Sequence, residues 1–151
     1  GLPDGAFLPT AHSSLLQPKI PGMHTVFHVS AVDAYRTAEP KVRNLLDDET
    51  VDIDAVAVVI DSSEVIDAAA GAESATTDAL TDLGAAVKLC SNAARGVDGS
   101  FAPVRQPEPP NGGSGDADAG RDAFGDGVEF VSSGVGELTR LQGSGWAYIR
   151  L

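Results

Sequence analysis

The sequence predicts a three-layer α/β/α fold built on a five-stranded, mainly parallel sheet. Short, almost wholly apolar runs recur along the 151-residue chain, and such runs are typical of strands that are buried on both faces. Segments whose apolar residues keep a helical spacing lie between them. This alternation indicates a parallel sheet covered by helices, and the chain length suits one domain.

Five segments are predicted as strands because each is short, apolar and flanked by polar or turn-forming residues. In chain order they are Thr25–Val29, Ile53–Ile60, Ala85–Leu89, Val128–Ser132 and Trp146–Leu151. None approaches the roughly 18 apolar residues that a membrane-spanning helix needs, so no membrane segment is expected.

Three helices are predicted between these strands. The first starts near Ala38 with Thr37 as its N-cap, because Pro40 then falls in the first turn, where its missing N–H costs little. The other two have helical stripes that end at glycines. These stripes are Ala75, Ala79, Leu80 and Leu83 before Gly84, and Val135, Leu138 and Leu141 before Gly143.

Two segments differ from the rest of the chain in composition. Residues 1–22 hold only two charges, Asp4 and Lys19, so we expect a disordered leader, tag or upstream extension there. Residues 104–127 combine prolines, glycines and scattered aspartates, which cannot bury enough apolar surface to become ordered. We therefore expect a single domain over residues 23–151 with a flexible loop at 104–127.

The formal net charge is −12, from 22 acidic residues against 10 basic ones, of which only three are lysine. An acidic, lysine-poor surface is typical of halophilic proteins, because concentrated salt screens the self-repulsion. An ordinary acidic protein is the alternative. Binding to nucleic acid is not expected, since it needs clustered Lys and Arg. A single cysteine excludes a disulfide framework, and we expect a cytoplasmic protein.

Cys90 lies where the third strand gives way to small and polar residues that could open a helix. Backbone N–H groups and the helix dipole favour the nucleophilic thiolate at such a junction. In a flavodoxin-like sheet of order 2-1-3-4-5, ligands collect between the first and third strands. That order would bring His28 toward Cys90, where the imidazole could accept the thiol proton. Arg95, about one turn further on, could bind an anionic substrate.

Four stretches of the chain carry a family resemblance: Val26–Val29, Val42–Leu46, Cys90–Val97, and Ser133–Gln142 with the Gly145–Ile149 segment after it. They resemble, in turn, the opening strand, the first helix, the cysteine motif and the carboxyl end of DsrE/DsrF-like proteins. The last stretch is the most specific. Relatives often carry a His-Gly stretch after the second strand, where this chain has Ile60-Asp61-Ser62-Ser63.

The resemblance implies a flavodoxin-like fold, assembly into homo-oligomers such as trimers or hexamers, and sulfur carried as a cysteine persulfide between sulfur donor and acceptor proteins. The position that would carry the persulfide is Cys90. Residues that would line its pocket are His28, Asn44, Asn92 and Arg95. No cofactor is implied.

Other interpretations of these residues are also open. Cys90 could be a small apolar filler, His28 a core histidine and Arg95 a helix cap. His24 and His28 share a strand face, but two histidines are too few for a metal site, so none is predicted. The alternative function is a non-catalytic oligomeric subunit or a small-ligand binding protein of the same fold.

Overall fold

The computed structural model of the chain describes residues 20–95 and 124–151. Within these ranges, one sheet contains the strands β1 (Ile20–Val29), β2 (Val51–Ile60), β3 (Ala86–Cys90), β4 (Val128–Val131) and β5 (Ala147–Arg150). The helices of the same ranges are α1 (Val32–Arg36), α2 (Ala38–Asp47), α3 (Ser63–Ala70), α4 (Ser74–Asp82), α5 (Ser91–Ala94) and α6 (Gly134–Gly143).

All neighbouring strands are parallel, and their order across the sheet is β4-β3-β2-β1-β5. The predicted three-layer, flavodoxin-like α/β fold with a five-stranded sheet is thereby confirmed. The expected strand order 2-1-3-4-5 is wrong. Strands β1 and β2 pair along most of their lengths, and β2 also pairs with β3, so the first and third strands are not neighbours.

The five predicted strands are all present, although several of their ends differ from the prediction. Strand β1 begins at Ile20, so it includes the last three residues of the segment 1–22. Residues 1–19 lie outside the described part of the chain, as does the predicted flexible loop up to residue 123.

Helix α2 starts at Ala38, as predicted from Pro40. The Thr37 hydroxyl does not cap it but donates to the Ala34 carbonyl oxygen at 2.7 Å, because Thr37 also ends α1. Helices α1 and α3 were not predicted. None of the helices in residues 20–95 and 124–151 is long and apolar enough to span a membrane.

The described helices cover the two faces of the sheet unequally. Helices α1 to α4 pack on one face over the larger core, whose fully buried side chains include Val29, Tyr35, Val58, Ile60 and Leu89. On the opposite face, α6 packs over a smaller cluster formed by Val26, Ala57, Val59, Leu138 and Leu141. We call this second face the α6 face. It holds the polar side chains described next.

Candidate functional site

Cys90 is the last residue of β3, and its side chain lies on the α6 face because the preceding Leu89 belongs to the larger core. Only 6% of the residue is exposed. Its sulfur accepts a hydrogen bond from the Ala93 backbone N–H at 3.3 Å, so the thiol itself is the N-cap of the short helix α5. The hydroxyl of the next residue, Ser91, is buried and has no hydrogen-bond partner among the described residues.

The strand register places Cys90 in a row of polar side chains at the carboxyl edge of the sheet. Val29 pairs with Ile60, and Ile60 with Leu89. The residues that follow these three are Ser30, directly after β1, Asp61, directly after β2, and Cys90, the last residue of β3. We call them the edge row.

The start of α6 lies directly against the edge row. An added Cβ atom at Gly134 would be 2.8 Å from the Asp61 Cβ and 3.5 Å from the Cys90 Cβ. Asp61 and Cys90 therefore flank the same glycine. The Ser133 hydroxyl caps this helix by accepting from the Gly136 N–H at 2.9 Å.

A chain of hydrogen bonds runs from the edge row to the last strand. The Asp61 carboxylate accepts from the Ser30 hydroxyl at 2.8 Å, and its other oxygen lies 2.7 Å from His28 Nε2. The opposite ring nitrogen of His28, Nδ1, lies 2.6 Å from the Tyr148 hydroxyl. His28 is buried, whereas 39% of Tyr148 is exposed. These hydrogen bonds thus connect the buried edge of the sheet with the surface of the protein.

The partners of His28 determine its tautomer. An ionised Asp61 can only accept, so Nε2 carries the proton that the imidazole donates to it. A neutral ring then has an acceptor at Nδ1, and the Tyr148 hydroxyl donates a hydrogen bond to it. Both ring nitrogens are therefore occupied, and neither is hydrogen-bonded to Cys90.

The other predicted pocket residues lie in two separate places. Asn92 and Arg95 are on α5 and at its end, close to Cys90 in sequence, and the exposed Arg95 guanidinium donates to the Asn92 side-chain oxygen. Asn44 is on α2, on the opposite face of the sheet. There it lines a cavity of about 290 Å³ together with Phe27, Lys41, Leu45 and Ile149.

Buried ion pairs attach α6 to the sheet. Lys88 lies two residues before Cys90 on the same face, and its Nζ is 2.7 Å from a Glu137 carboxylate oxygen and 3.1 Å from one of Glu129. Arg140 also binds Glu137, at 2.5 Å. Burial lowers the pKa of Lys88, but the two carboxylates outweigh it and the net shift is upward. The hydrogen bond from Arg140, aided by Lys88, lowers the pKa of Glu137.

Sequence reasoning missed Asp61, Ser30 and Tyr148 as members of this site. Asp61 and Ser30 each follow the end of an apolar strand, which is where parallel sheets place functional side chains, so that signal was available. Tyr148 had no such signal, because its role depends on β5 lying beside β1. In the described ranges, no cluster of three His, Cys, Asp or Glu side chains has metal-binding geometry.

Comparison with known proteins supports the fold but brings no activity. No family model matches the chain, and no curated protein matches it. One similar solved structure is that of MTH1491, a protein of unknown function from Methanobacterium thermoautotrophicum. It has 28% sequence identity and a TM-score of 0.53, and the match covers 86% of this chain and 100% of that one.

Proposed function

We propose that this protein is a sulfur carrier of the sulfurtransferase type, in which Cys90 holds sulfane sulfur as a persulfide. The observation that carries the proposal is the position of this thiol. Cys90 ends an interior parallel strand at the carboxyl edge, in the edge row with Asp61 and against the start of α6, and its sulfur accepts a hydrogen bond from a backbone N–H. Functional groups of parallel α/β folds gather at this edge. The resemblance of residues 90–97 to the DsrE/DsrF-like cysteine motif agrees with it.

The proposed chemistry consists of two thiol exchange reactions. In loading, the Cys90 thiolate attacks the outer sulfur of a donor such as thiosulfate, a new S–S bond forms, and sulfite leaves with the electron pair of the broken bond. In unloading, an acceptor thiolate attacks the terminal sulfur of the persulfide, and the Cys90 thiolate is the leaving group. Neither reaction needs an outside oxidant or reductant.

The acceptor of the sulfur has to be a second molecule. Cys90 is the only cysteine of the chain, so no internal thiol can resolve the persulfide. This supports a relay in which donor and acceptor proteins meet the carrier in turn, in the reducing cytoplasm where free thiols persist.

Assembly into a homo-oligomer, as a trimer or a hexamer, is part of the same proposal. Among residues 20–95 and 124–151, β5 is an edge strand whose four residues are all exposed, and its apolar side chains include Tyr148 and Ile149 at 39% and 40% exposure. An open parallel edge with apolar side chains is a surface that a second chain can cover. Light scattering in concentrated salt measures the subunit number.

Mass spectrometry of the intact protein tests the carrier function. After incubation with thiosulfate or a small persulfide donor, we expect the wild type to gain the mass of one sulfur atom and Cys90→Ser to gain none. The control is Cys90→Ser combined with Ser132→Cys, which moves the thiol to an exposed position after β4. We expect much slower loading there. An unmodified wild type, or equal loading of the control, would overturn the proposal.

A second candidate function has support from the burial of the thiol. With 6% exposure and an N-cap role, Cys90 is also suited to a purely structural position in a non-catalytic subunit or small-ligand binding protein. In that case Cys90→Ser keeps the fold, because a serine hydroxyl is a good N-cap, and the wild type takes up no sulfur.

A further inference from the structure

Three side chains on the α6 face are joined in the order of a catalytic triad, and Cys90 is not one of them. The Tyr148 hydroxyl lies 2.6 Å from His28 Nδ1, and Nε2 of the same ring lies 2.7 Å from an Asp61 carboxylate oxygen. A hydroxyl, an imidazole and a carboxylate in this order activate a nucleophile, because the imidazole takes the hydroxyl proton while the carboxylate holds the imidazole. Tyr148 therefore has the position of the nucleophile.

The hydrogen bonds around His28 orient it as a base toward Tyr148. Nε2 donates to Asp61, so the lone pair of the neutral ring is at Nδ1, where the Tyr148 hydroxyl donates to it. Asp61 is itself held, because its other oxygen accepts from the Ser30 hydroxyl at 2.8 Å. When Nδ1 takes the hydroxyl proton, the imidazolium that forms faces the Asp61 carboxylate, which stabilises the positive charge.

The nucleophilic oxygen belongs to the member of this group that solvent reaches. Tyr148 is 39% exposed, whereas His28 is buried. The Tyr148 side chain projects from a face of the sheet, toward His28 on the neighbouring strand. A second chain that pairs with the backbone of β5 extends the sheet within its own plane. Assembly through the β5 edge is therefore compatible with an accessible Tyr148.

A phenol as the nucleophile restricts the acyl compounds that it can attack. Tyrosine and cysteine side chains have ordinary pKa values of about 10 and about 8.5, and alkyl alcohols are much weaker acids. A phenol oxygen can therefore displace a thiolate or another phenolate from an acyl group, but not an alkoxide. The formal net charge of −12 also disfavours an anionic compound. These conditions point to an uncharged thioester or aryl ester.

We propose that Tyr148 is the nucleophile of an acyl-transfer site for such esters, with His28 as its base and Asp61 as a positioning residue. In acylation, the phenol oxygen attacks the carbonyl carbon and its proton passes to Nδ1. The thiolate or phenolate leaves with the electron pair of the broken bond and takes that proton. In deacylation, water attacks the acyl carbon and gives a proton to Nδ1, and the Tyr148 oxygen leaves and regains it. The Nε2 proton stays between His28 and Asp61, so each cycle restores the starting tautomer.

Acetylation by p-nitrophenyl acetate tests the nucleophile. Acid quenching at set times, followed by peptide mapping, gives the acetylation rate of each site, so reactions of the thiol and of lysines are counted separately. Release of nitrophenol gives the steady rate of turnover. The chain has two tyrosines. Tyr35 is fully buried in the core on the opposite face, so its acetylation rate is an internal control.

The matched control is Tyr148→Phe combined with Ile149→Tyr. Position 149 is 40% exposed, so the introduced hydroxyl has almost the same access to solvent as that of Tyr148. It follows Tyr148 on the same strand and lies on the other face of the sheet, away from His28. Lys41 lines the same cavity as Ile149, so the control also has a basic neighbour.

We expect Tyr148 of the wild type to be acetylated about 100-fold faster than the introduced tyrosine, in the range that a general base contributes. In His28→Gln, the rate at Tyr148 should fall to that of the control. Asp61→Asn should lower kcat for nitrophenol release by about 100-fold and leave KM unchanged, because Asp61 acts through His28 and does not contact the ester. A purely structural role of Asp61 would change both constants.

The proposal fails if wild-type Tyr148 and the introduced tyrosine are acetylated equally fast, or if nitrophenol release stops after one equivalent per chain. The first comparison needs neither His28→Gln nor Asp61→Asn, so it remains decisive if those changes prevent folding. The Cys90 sulfur has its hydrogen bond from Ala93, outside this group. The acyl-transfer site and the carrier function are thus tested independently of each other.

Discussion

Gly134 lies so close to Asp61 that a Cβ atom at position 134 would be 2.8 Å from the Asp61 Cβ, a distance that real side chains do not reach. This glycine is required for space and not for an unusual φ angle, since its φ is not positive. The contact brings the start of α6 against the edge row. The Lys88–Glu137 ion pair holds the next turn of the same helix. Packing and electrostatics therefore act together to place α6 over Cys90.

Gly134→Ala should displace the start of α6 from the edge row. The added methyl group meets Asp61 near its backbone, where little can move, so we expect a loss of about 1–3 kcal/mol in the free energy of unfolding. Urea denaturation measures it. The control is Gly143→Ala at the other end of the helix, where an added Cβ has nothing within 4 Å. That variant should be unchanged or more stable by up to about 1 kcal/mol, and equal losses in both would contradict the packing argument.

Lys88→Met should destabilise the protein by about 3 kcal/mol, because it leaves the buried Glu137 carboxylate with Arg140 alone. Adding Glu137→Leu should recover most of the loss, since an apolar pair of similar size needs no desolvated charge. The Glu129 carboxylate is half-exposed and stays solvated. Denaturation of the wild type, of Lys88→Met, of Glu137→Leu and of the double variant gives the coupling free energy. A double variant that is less stable than Lys88→Met would show that the ion pair is not the source of the loss.

Tyr35 should make the protein sensitive to alkali. Burial raises the pKa of Tyr35 from 10.0 to about 12, although its hydrogen bond to Thr77 opposes the shift. The pKa of Tyr35 is higher in the folded state than in the unfolded state. The free energy of unfolding therefore keeps its full value below pH 10 and falls as the pH rises toward 12. Two pKa units correspond to about 3 kcal/mol. Tyr35→Phe should remove this pH dependence, as measured by urea denaturation between pH 9 and pH 12. A decline as steep as that of the wild type would show that other groups cause it.

The strands and the start of α2 were predictable from sequence because they depend on local patterns. Apolar runs with the length of buried strands marked all five strands, and the chemistry of Pro40 located the helix start at Ala38. Helix α3 was missed because the stripe that it buries is short, consisting of Val65, Ile66 and Ala69. Local patterns also located Cys90 at a strand-to-helix junction.

The arrangement around Cys90 was less predictable because it depends on which strands are neighbours. The apolar residues of β1, β2 and β3 are compatible with more than one order, and the observed order places β2 between His28 and Cys90. Asp61 follows β2 and therefore occupies the place next to Cys90 that the sequence analysis assigned to His28. The link from His28 to Tyr148 likewise depends on the pairing of β1 with β5.

The stability of the protein should rise with salt concentration, as the acidic composition predicts. The end of α2 and the start of β2 carry the exposed carboxylates Asp47, Asp48, Glu49, Asp52 and Asp54, none of which has an ion-pair partner among the described residues. Each like-charge pair costs a few tenths of a kcal/mol, and raising the salt from 0.1 to 1 M shortens the screening length from about 10 to about 3 Å.

One charge-reduced variant distinguishes the contribution of this acidic segment to the salt dependence of stability from general salt effects. The combined change Asp47→Asn, Glu49→Gln, Asp52→Asn and Asp54→Asn removes four negative charges and retains Asp48, whose pKa is lowered by hydrogen bonds from Thr50. We expect the wild type to gain about 1–2 kcal/mol between 0.1 and 1 M KCl. The variant should gain less, because it begins with less repulsion to screen. Urea denaturation at each salt concentration measures both gains. If the two proteins gained equally, the effect would come from salt acting on apolar surface, since that contribution does not depend on net charge.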